Sequence, residues 1–260
     1  MAYIISIANE KGGVAKTTTT ISLGGALAET GAKVLVIDLD AQANLSLALG
    51  FEPGKVKNTI VSAFMEGIPL SNIWQPTAFE NLYIIPSNSE MGLVERFLPT
   101  RPAYEETLHQ AILSSNNDFD YILMDCPPFL GAVTLNALNV SNMLLMPTQA
   151  EYFSIYALKN MMNLIKRVRL KSNPKLTYRL VLTMFDRRNR IHRTMNEQLH
   201  STFTNGVLET AIEVDTKLRE SPIAGVPIML HAPKSRSTLQ YRALAQEIIQ
   251  YVKETTAQPA

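Results

Sequence analysis

The sequence predicts an α/β fold, a mostly parallel twisted sheet with helices on both faces. Three observations lead there. Short β-branched runs recur along the chain, helix-like stretches lie between them, and 46% of the 260 residues are hydrophobic. Strands that alternate with helices favour parallel pairing, and a parallel sheet needs cover on both faces. The length fits one large domain or at most two small ones, and with only 18% charged residues the chain can bury a core.

The strand-like runs are Tyr3–Ile7, Lys33–Ile37, Leu82–Ile85, Tyr121–Met124, Met143–Met146 and Tyr178–Leu182. Between them, Thr18–Glu29 carries Ile21, Leu23, Leu27 and Ala28, and Glu105–Leu113 carries Leu108, Ile112 and Leu113. Ile155–Leu170 sets Leu158, Met161, Met162, Ile165 and Val168 near helical spacing. In the last helix Tyr241, Leu244, Ala245, Ile248, Ile249 and Val252 follow i, i+3, i+4, i+7, i+8, i+11, and Ser237 with Gln240 offers a capping box at its start. No repeat, low-complexity tract or Gly/Ser linker interrupts the pattern. Residues 1–260 are therefore predicted as one domain, with 253–260 a frayed tail.

Composition excludes several classes. One cysteine leaves no disulfide scaffold and no multi-cysteine metal or cluster site within one chain. No apolar run approaches the roughly 18 residues of a membrane span. Met1–Ala8 enters a strand-like run without a basic lead or cleavage site, which predicts no secretion signal and a cytoplasmic protein. The net charge of +1 conceals an asymmetry: residues 1–150 hold 7 basic and 14 acidic residues, 151–200 hold 11 and 3, and 201–260 hold 6 and 6. A basic block of this kind suggests contact with nucleic acid or a membrane surface.

The clearest chemistry follows the first strand. Lys11-Gly12-Gly13-Val14-Ala15-Lys16-Thr17-Thr18 joins a strand to a helix, the context of a phosphate-binding loop. Small residues let backbone N–H groups and the helix N-terminus close on an anion. Lys16 is placed to reach β- and γ-phosphates, and the Thr17 hydroxyl to reach Mg²⁺. Ala15 stands where the common pattern has glycine, a small steric change. By spacing alone Lys11 reads as a solvated lysine. His109, His192, His200 and His231 show no metal spacing, and Cys126 reads as a small core residue.

The loop resembles K-G-G-x-G-K-T-T, the deviant Walker A motif of the ParA/MinD ATPases. The resemblance covers nearly the whole chain. Val36–Asn44, with Asp38, Asp40, Gln42 and Asn44, is similar to the family's D-x-D-x-Q-x-N motif, and Tyr121–Pro128 to its Walker B strand ending in D-x-P-P. Thr134–Leu138, Gln149–Phe153, Leu218–Pro222 with Gly225–Ile228, and Pro233–Ser235 resemble ParA (Soj-like) members in particular. The resemblance implies a P-loop NTPase fold, ATP and Mg²⁺ as cofactors, and ATP hydrolysis stimulated by a partner protein.

It also assigns roles. Lys11 reaches the partner subunit's nucleotide in a face-to-face ATP dimer, so dimerisation depends on ATP. Gly12, Gly13, Val14, Ala15, Lys16, Thr17 and Thr18 cradle the phosphates. Asp40 organises the attacking water. Asp38 helps hold the magnesium shell and the loop, and Asp125 binds Mg²⁺ with Thr17. Side chains two apart on a strand share a face, so Asp38 and Asp40 are both expected to face the phosphates. Singly, each aspartate could equally be a strand-end cap. The base is expected against Thr183–Arg187 and Glu213–Lys217, where Glu213 and Asp215 replace a proline and an asparagine common in the family.

ParA proteins bind DNA without sequence preference as ATP dimers. By resemblance Arg188 and its neighbours Arg187, Arg190 and Arg193 lie near such a surface, Lys217 and Arg219 align with a basic segment of the family, and Lys234 and Arg236 are further candidates. Only lysine and arginine near phosphates are required. A cation at a helix start opposes the helix dipole, which gives an external anion a motive at Arg187–Arg193. Lys159–Arg169, by contrast, fits the wet side of an amphipathic helix. The expected machine is a partition ATPase: a homodimer with ATP, on nonspecific double-stranded DNA, working with a ParB-like partner, in the cytoplasm at the nucleoid. A MinD-like membrane protein would need a C-terminal amphipathic helix, and the polar residues after Val252 do not supply one. A slow-hydrolysing DNA-coating switch is the other alternative, through Ala15.

Overall fold

The computed structural model describes residues 2–115 and 118–257. The chain begins with β1 (Tyr3–Ile7), α1 (Lys16–Ala28), β2 (Val34–Asp38), α2 (Asn44–Ala48) and α3 (Ile60–Glu66). There follow β3 (Gln75–Pro76), β4 (Leu82–Ile85), α4 (Met91–Phe97), α5 (Thr107–Leu113) and β5 (Tyr121–Asp125). Next come α6 (Ala132–Val140), β6 (Met143–Gln149), α7 (Tyr152–Lys171), β7 (Thr177–Phe185) and α8 (Arg190–Thr202). The chain closes with β8 (Val207–Glu213), α9 (Lys217–Glu220), α10 (Ile228–His231) and α11 (Arg236–Ala257).

Among the described residues the strands form one eight-stranded sheet in the order β3-β4-β2-β5-β1-β6-β7-β8. Every pairing is parallel except β3 with β4. Alternation along each strand divides the apolar residues between two cores. Leu35, Ile37, Ile122 and Met124 pack under α3–α7, which contribute Phe64, Val94, Leu108, Ala137 and Met161. Val34, Val36, Leu123 and Leu145 face the other way, onto Leu23 and Leu27 of α1 and onto Ile228, Tyr241, Leu244 and Ile248 of α10 and α11. Strands buried on both faces are apolar at nearly every position, which is why these runs stand out in the sequence.

The register positions the site. Ile7 pairs with Asp125 and Asp125 with Asp38, so β1, β5 and β2 end at one level. The chain leaves β1 through α1 towards β2 on one side, and β6 lies on the other. A crevice at such a reversal, outside the carboxyl ends of the strands, is where open α/β sheets bind ligands.

The predicted strands are all present, with β2, β5, β6 and β7 running further at their carboxyl ends. Two strands and several helices are additional. β3 is two residues long and contains Pro76, so it carries no alternation. β8 alternates poorly because its backbone is covered from outside: the Glu247 carboxylate accepts from the Glu209 and Thr210 N–H groups, and Gln240 Oε1 from that of Glu213. The expected capping box does not form, and a serine two residues earlier caps the helix instead. Ser235 Oγ accepts from the Thr238 N–H at 3.2 Å, whereas Ser237 donates to Asp215 and Gln240 serves β8. The predicted frayed tail is helical through Ala257, and its residues 258–260 lie outside the described residues.

Candidate nucleotide-binding site

The loop between β1 and α1 is fastened from several sides. Asn9 Oδ1 accepts from the Lys11 N–H at 3.0 Å while Asn9 Nδ2 donates to Pro147 O at 2.8 Å, tying the loop entrance to β6. Thr183 Oγ1, on β7, donates to Val14 O at 3.0 Å. The loop turns through left-handed backbone at Gly13 (φ 73°) and again at Ala15 (φ 66°). Glycine adopts that region freely, whereas a Cβ there costs about 1–2 kcal/mol. Ala15→Gly is therefore expected to stabilise the nucleotide-free chain by up to about 1 kcal/mol, read as a higher urea midpoint at unchanged m. A lower midpoint would show that the loop does not hold this strain.

A cleft of about 660 Å³ opens above the loop, lined by Gly13, Lys16, Thr17, Asp40 and Pro128. Lys16 opens α1, is 9% exposed, and donates from Nζ to Lys11 O at 3.3 Å. Burial lowers its pKa, with Asp125 acting against the shift. Thr17 Oγ1 donates to Asp125 Oδ2 at 2.6 Å, and Thr20 Oγ1 lies 3.4 Å from Asp125 Oδ1. Burial pushes the Asp125 carboxyl up to about 8, Asp38 adds to the shift, and Thr17 and Lys16 oppose it.

The two aspartates that follow β2 diverge. Asp40 faces the cleft, and its Oδ1 accepts from the Gln42 N–H at 2.9 Å. Asp38 is fully buried and turned away, with Oδ2 accepting from the Ser46 N–H and hydroxyl at 2.9 and 2.7 Å and Oδ1 from the Asp40 N–H. The expectation that both face the phosphates is thus corrected. The chain leaves extended geometry after Asp38, so the two-residue strand rule stops applying. Asp38 organises the loop that carries Asp40. Burial raises its carboxyl to about 6, against the Ser46 hydrogen bonds.

Lys11 is held at the cleft edge. Its Nζ donates to Glu151 at 2.6 Å, to Gln149 at 2.9 Å and to Ser154 at 3.5 Å. Spacing alone suggests a solvated lysine, whereas its side chain is only 25% exposed.

This cleft and its loop have counterparts among known proteins. The AAA-domain family model of ParA/MinD type matches residues 2–178. Soj, the sporulation initiation inhibitor protein of Bacillus subtilis, is 35% identical over 249 residues, covering 95% of this chain and 98% of Soj. The chain belongs to the ParA/MinD-type family. The chromosome partitioning protein ParA of Caulobacter vibrioides is 34% identical over 260 residues, with 99% and 97% of the two chains covered. Among solved structures, cobyrinic acid a,c-diamide synthase of Mycobacterium smegmatis with bound ADP and magnesium superposes at a TM-score of 0.87, with 28% identity and 100% and 99% coverage. The same enzyme with an ATP analogue and magnesium gives the same TM-score.

Several interactions around this ParA/MinD-type cleft do not stand out in the sequence. Thr20 lies in the visible threonine run, but its reach to Asp125 needs the fold. Gly131 cannot cap α6 with a side chain, so Glu95 of α4 accepts from the Ala132 and Val133 N–H groups at 2.6 and 3.0 Å. A Cβ on Gly131 would fall on Glu95 Oε1 and the Phe129 ring. Gly131→Ala is accordingly expected to destabilise the chain by about 1–3 kcal/mol, measured by urea unfolding. No destabilisation would mean that the Pro127–Gly131 loop relaxes freely.

Of the two segments expected near the base, only the first reaches the lining of the cleft. Met184 lines the cleft, and Pro222 and Ile223 line it too, whereas no residue of Glu213–Lys217 does. That segment is turned outward. Glu213 binds Arg187 and Arg236, and Asp215 accepts from Ser237. Cys126 is buried in the core, and burial raises its thiol pKa.

The candidate DNA residues come from three separate segments that meet. Arg187 and Arg236 share Glu213, and Asp215 links the Lys217 N–H to Ser237. Arg188 pairs with Asp186, Lys217 with Glu220, and Arg193 donates to the carbonyls of Arg187 and Arg188. Arg190, Arg219 and Lys234 are exposed and have no internal partner among the described residues. No helix among those residues is long and apolar enough to cross a membrane.

Proposed function

We propose that this chain is an ATP-dependent, dimerising partition ATPase that binds DNA without sequence preference and positions or segregates a cargo. One observation carries the reading: Lys16, Thr17, Asp125 and Asp40 converge on a single cleft at the carboxyl ends of β1, β2 and β5, with Lys11 at its edge. Family membership supports it. So do the partition proteins among its relatives and the nucleotide and magnesium in its structural neighbour.

The residues suit magnesium. Thr17 Oγ1 and Asp125 are hard oxygen donors side by side, and a bound divalent cation would favour the ionised form of the Asp125 carboxyl against the burial that raises its pKa. Magnesium, when bound, neutralises phosphate charge. The chain does the remainder by positioning and electrostatics, since phosphoryl transfer needs no covalent protein step. Backbone N–H groups of residues 12–18 and the α1 N-terminus hold the β- and γ-phosphates. Lys16 offsets the charge that builds on the transferring group, and Asp40 orients the attacking water. Lys11 leaves Glu151 for the partner's nucleotide, so the dimer closes only around ATP. The dimer joins two basic surfaces on one DNA, a ParB-like partner speeds hydrolysis, and release follows. The site of action is the nucleoid in the cytoplasm.

Phosphate release from the purified chain with MgATP tests this. Slow turnover alone, accelerated by double-stranded DNA with the partner protein, is expected. Saturable ATP binding without turnover under any combination would favour the slow DNA-coating switch, the reading that the left-handed Ala15 supports.

A further inference from the structure

Three side chains, Arg187 from the β7–α8 loop and Arg236 and Gln240 from α11, converge on the Glu213 carboxylate. Oε1 accepts from Arg187 Nε at 2.9 Å and from Gln240 Nε2 at 3.1 Å, and Oε2 accepts from Arg236 Nη1 at 2.9 Å. The acid is itself fixed, because its N–H donates to Gln240 Oε1 at 3.0 Å. Arg236 is braced a second time through Nη2 to Val214 O. The Glu213 side chain is 15% exposed, whereas those of Arg187 and Arg236 are 70% and 55% exposed. The carboxylate therefore sits beneath the two guanidinium groups, which look outward. An arginine carries five N–H donors; Arg187 commits one here and Arg236 two, so most remain for an external acceptor. Two guanidinium groups side by side repel each other, and a shared carboxylate removes that repulsion while leaving one net positive charge. Planar, multidentate donors in a fixed pair match a tetrahedral phosphate.

We propose that Glu213 is a positioning residue that gathers Arg187 and Arg236 into a two-guanidinium clasp for one phosphate group. The proposal rests on the DNA-binding reading for the source of that phosphate, a backbone phosphate of duplex DNA. It makes a counterintuitive demand: removing an acid from a DNA-facing surface weakens DNA binding.

The test follows the Arg187 and Arg236 Nε–H signals by NMR as wild-type protein, saturated with magnesium and a non-hydrolysable ATP analogue, is titrated with a short DNA duplex and, separately, with inorganic pyrophosphate. Both signals are expected to move with one midpoint in each titration. In Glu213→Gln the amide oxygen can hold only part of the set. DNA affinity then falls about tenfold, and the slope of log affinity against log salt becomes shallower by about 0.9 for each phosphate no longer neutralised. Glu209→Gln, an exposed acid on the same strand, removes the same charge without touching the pair and leaves binding unchanged or tighter. Glu213→Gln binding as tightly as wild type or tighter overturns the clasp, as do separate midpoints for the two arginines. If pyrophosphate moves both signals together and DNA moves neither, the clasp stands and the DNA reading fails. If neither ligand moves them, the clasp fails. The wild-type titrations need no variant to fold.

Discussion

Lys16→Ala is expected to lower ATP turnover by about two to three orders of magnitude in a chain that remains folded. Lys16 is nearly buried at the first turn of α1, and its ammonium makes a single long hydrogen bond among the described residues, 3.3 Å to Lys11 O. Its charge is thus held for something other than the fold. Burial already lowers its pKa, so deleting the ammonium relieves a desolvated charge rather than breaking a structural pair. The effect falls on the reaction, where charge on the transferring phosphoryl group has no other fixed cation of the same subunit close by. Lys16→Arg should not restore activity, because a planar fork cannot replace a compact point charge in a loop built around it. Phosphate release at saturating MgATP measures the effect, with urea unfolding as the control. Turnover within about twofold of wild type would remove Lys16 from the proposed chemistry.

Replacing Arg190, Arg219 and Lys234 together with alanine is the second large effect. Four of the eight candidate DNA residues make no ion pair among the described residues, these three and Arg193, and Arg193 is left out because its guanidinium donates to the Arg187 and Arg188 carbonyls. Arg188 and Lys217, by contrast, lie 3.2 and 2.7 Å from Asp186 and Glu220. A cation next to its own carboxylate attracts phosphate less, because approach of the DNA also meets the carboxylate. The triple variant is expected to lower the salt slope of DNA binding by about 2.7 per protomer, and Arg188→Ala or Lys217→Ala by clearly less than about 0.9 each. Nucleotide binding and turnover without DNA should be untouched. Equal effects from paired and unpaired cations would show that the internal ion pairs dissolve on contact with DNA.

The sequence makes the centre of the molecule legible and its margins much less so. β1, β2, β5 and β6 are readable because burial on both faces leaves runs such as Val34–Asp38 with no polar position before the closing aspartate. The phosphate loop is readable because Gly12, Gly13, Lys16 and Thr17 are close together in the chain. What escapes depends on distant partners. β8 looks too polar for a strand because Glu247 and Gln240, on α11, satisfy its edge. The start of α6 has no cap of its own because Glu95 supplies one from α4. Asp38 and Asp40 look equivalent by spacing, and only the turn after β2 separates a buried loop anchor from a cleft-lining carboxylate. Glu213 appears in sequence as a departure beside the base. Its bonds with Arg187 and Arg236 exist only once three segments have met.

Lys11 joins the nucleotide site to the DNA surface in the proposed cycle. It rests on Glu151 and Gln149 and must be drawn across to a partner's phosphates for the dimer to close. The most direct test is the affinity for double-stranded DNA with ADP, with ATP and with a non-hydrolysable ATP analogue, for wild type and for Lys11→Ala. Wild type should bind DNA tightly with ATP or the analogue and weakly with ADP, and Lys11→Ala should bind weakly with all three. Equal binding by wild type in every nucleotide state, or a Lys11→Ala chain that still responds to ATP, would contradict the switch.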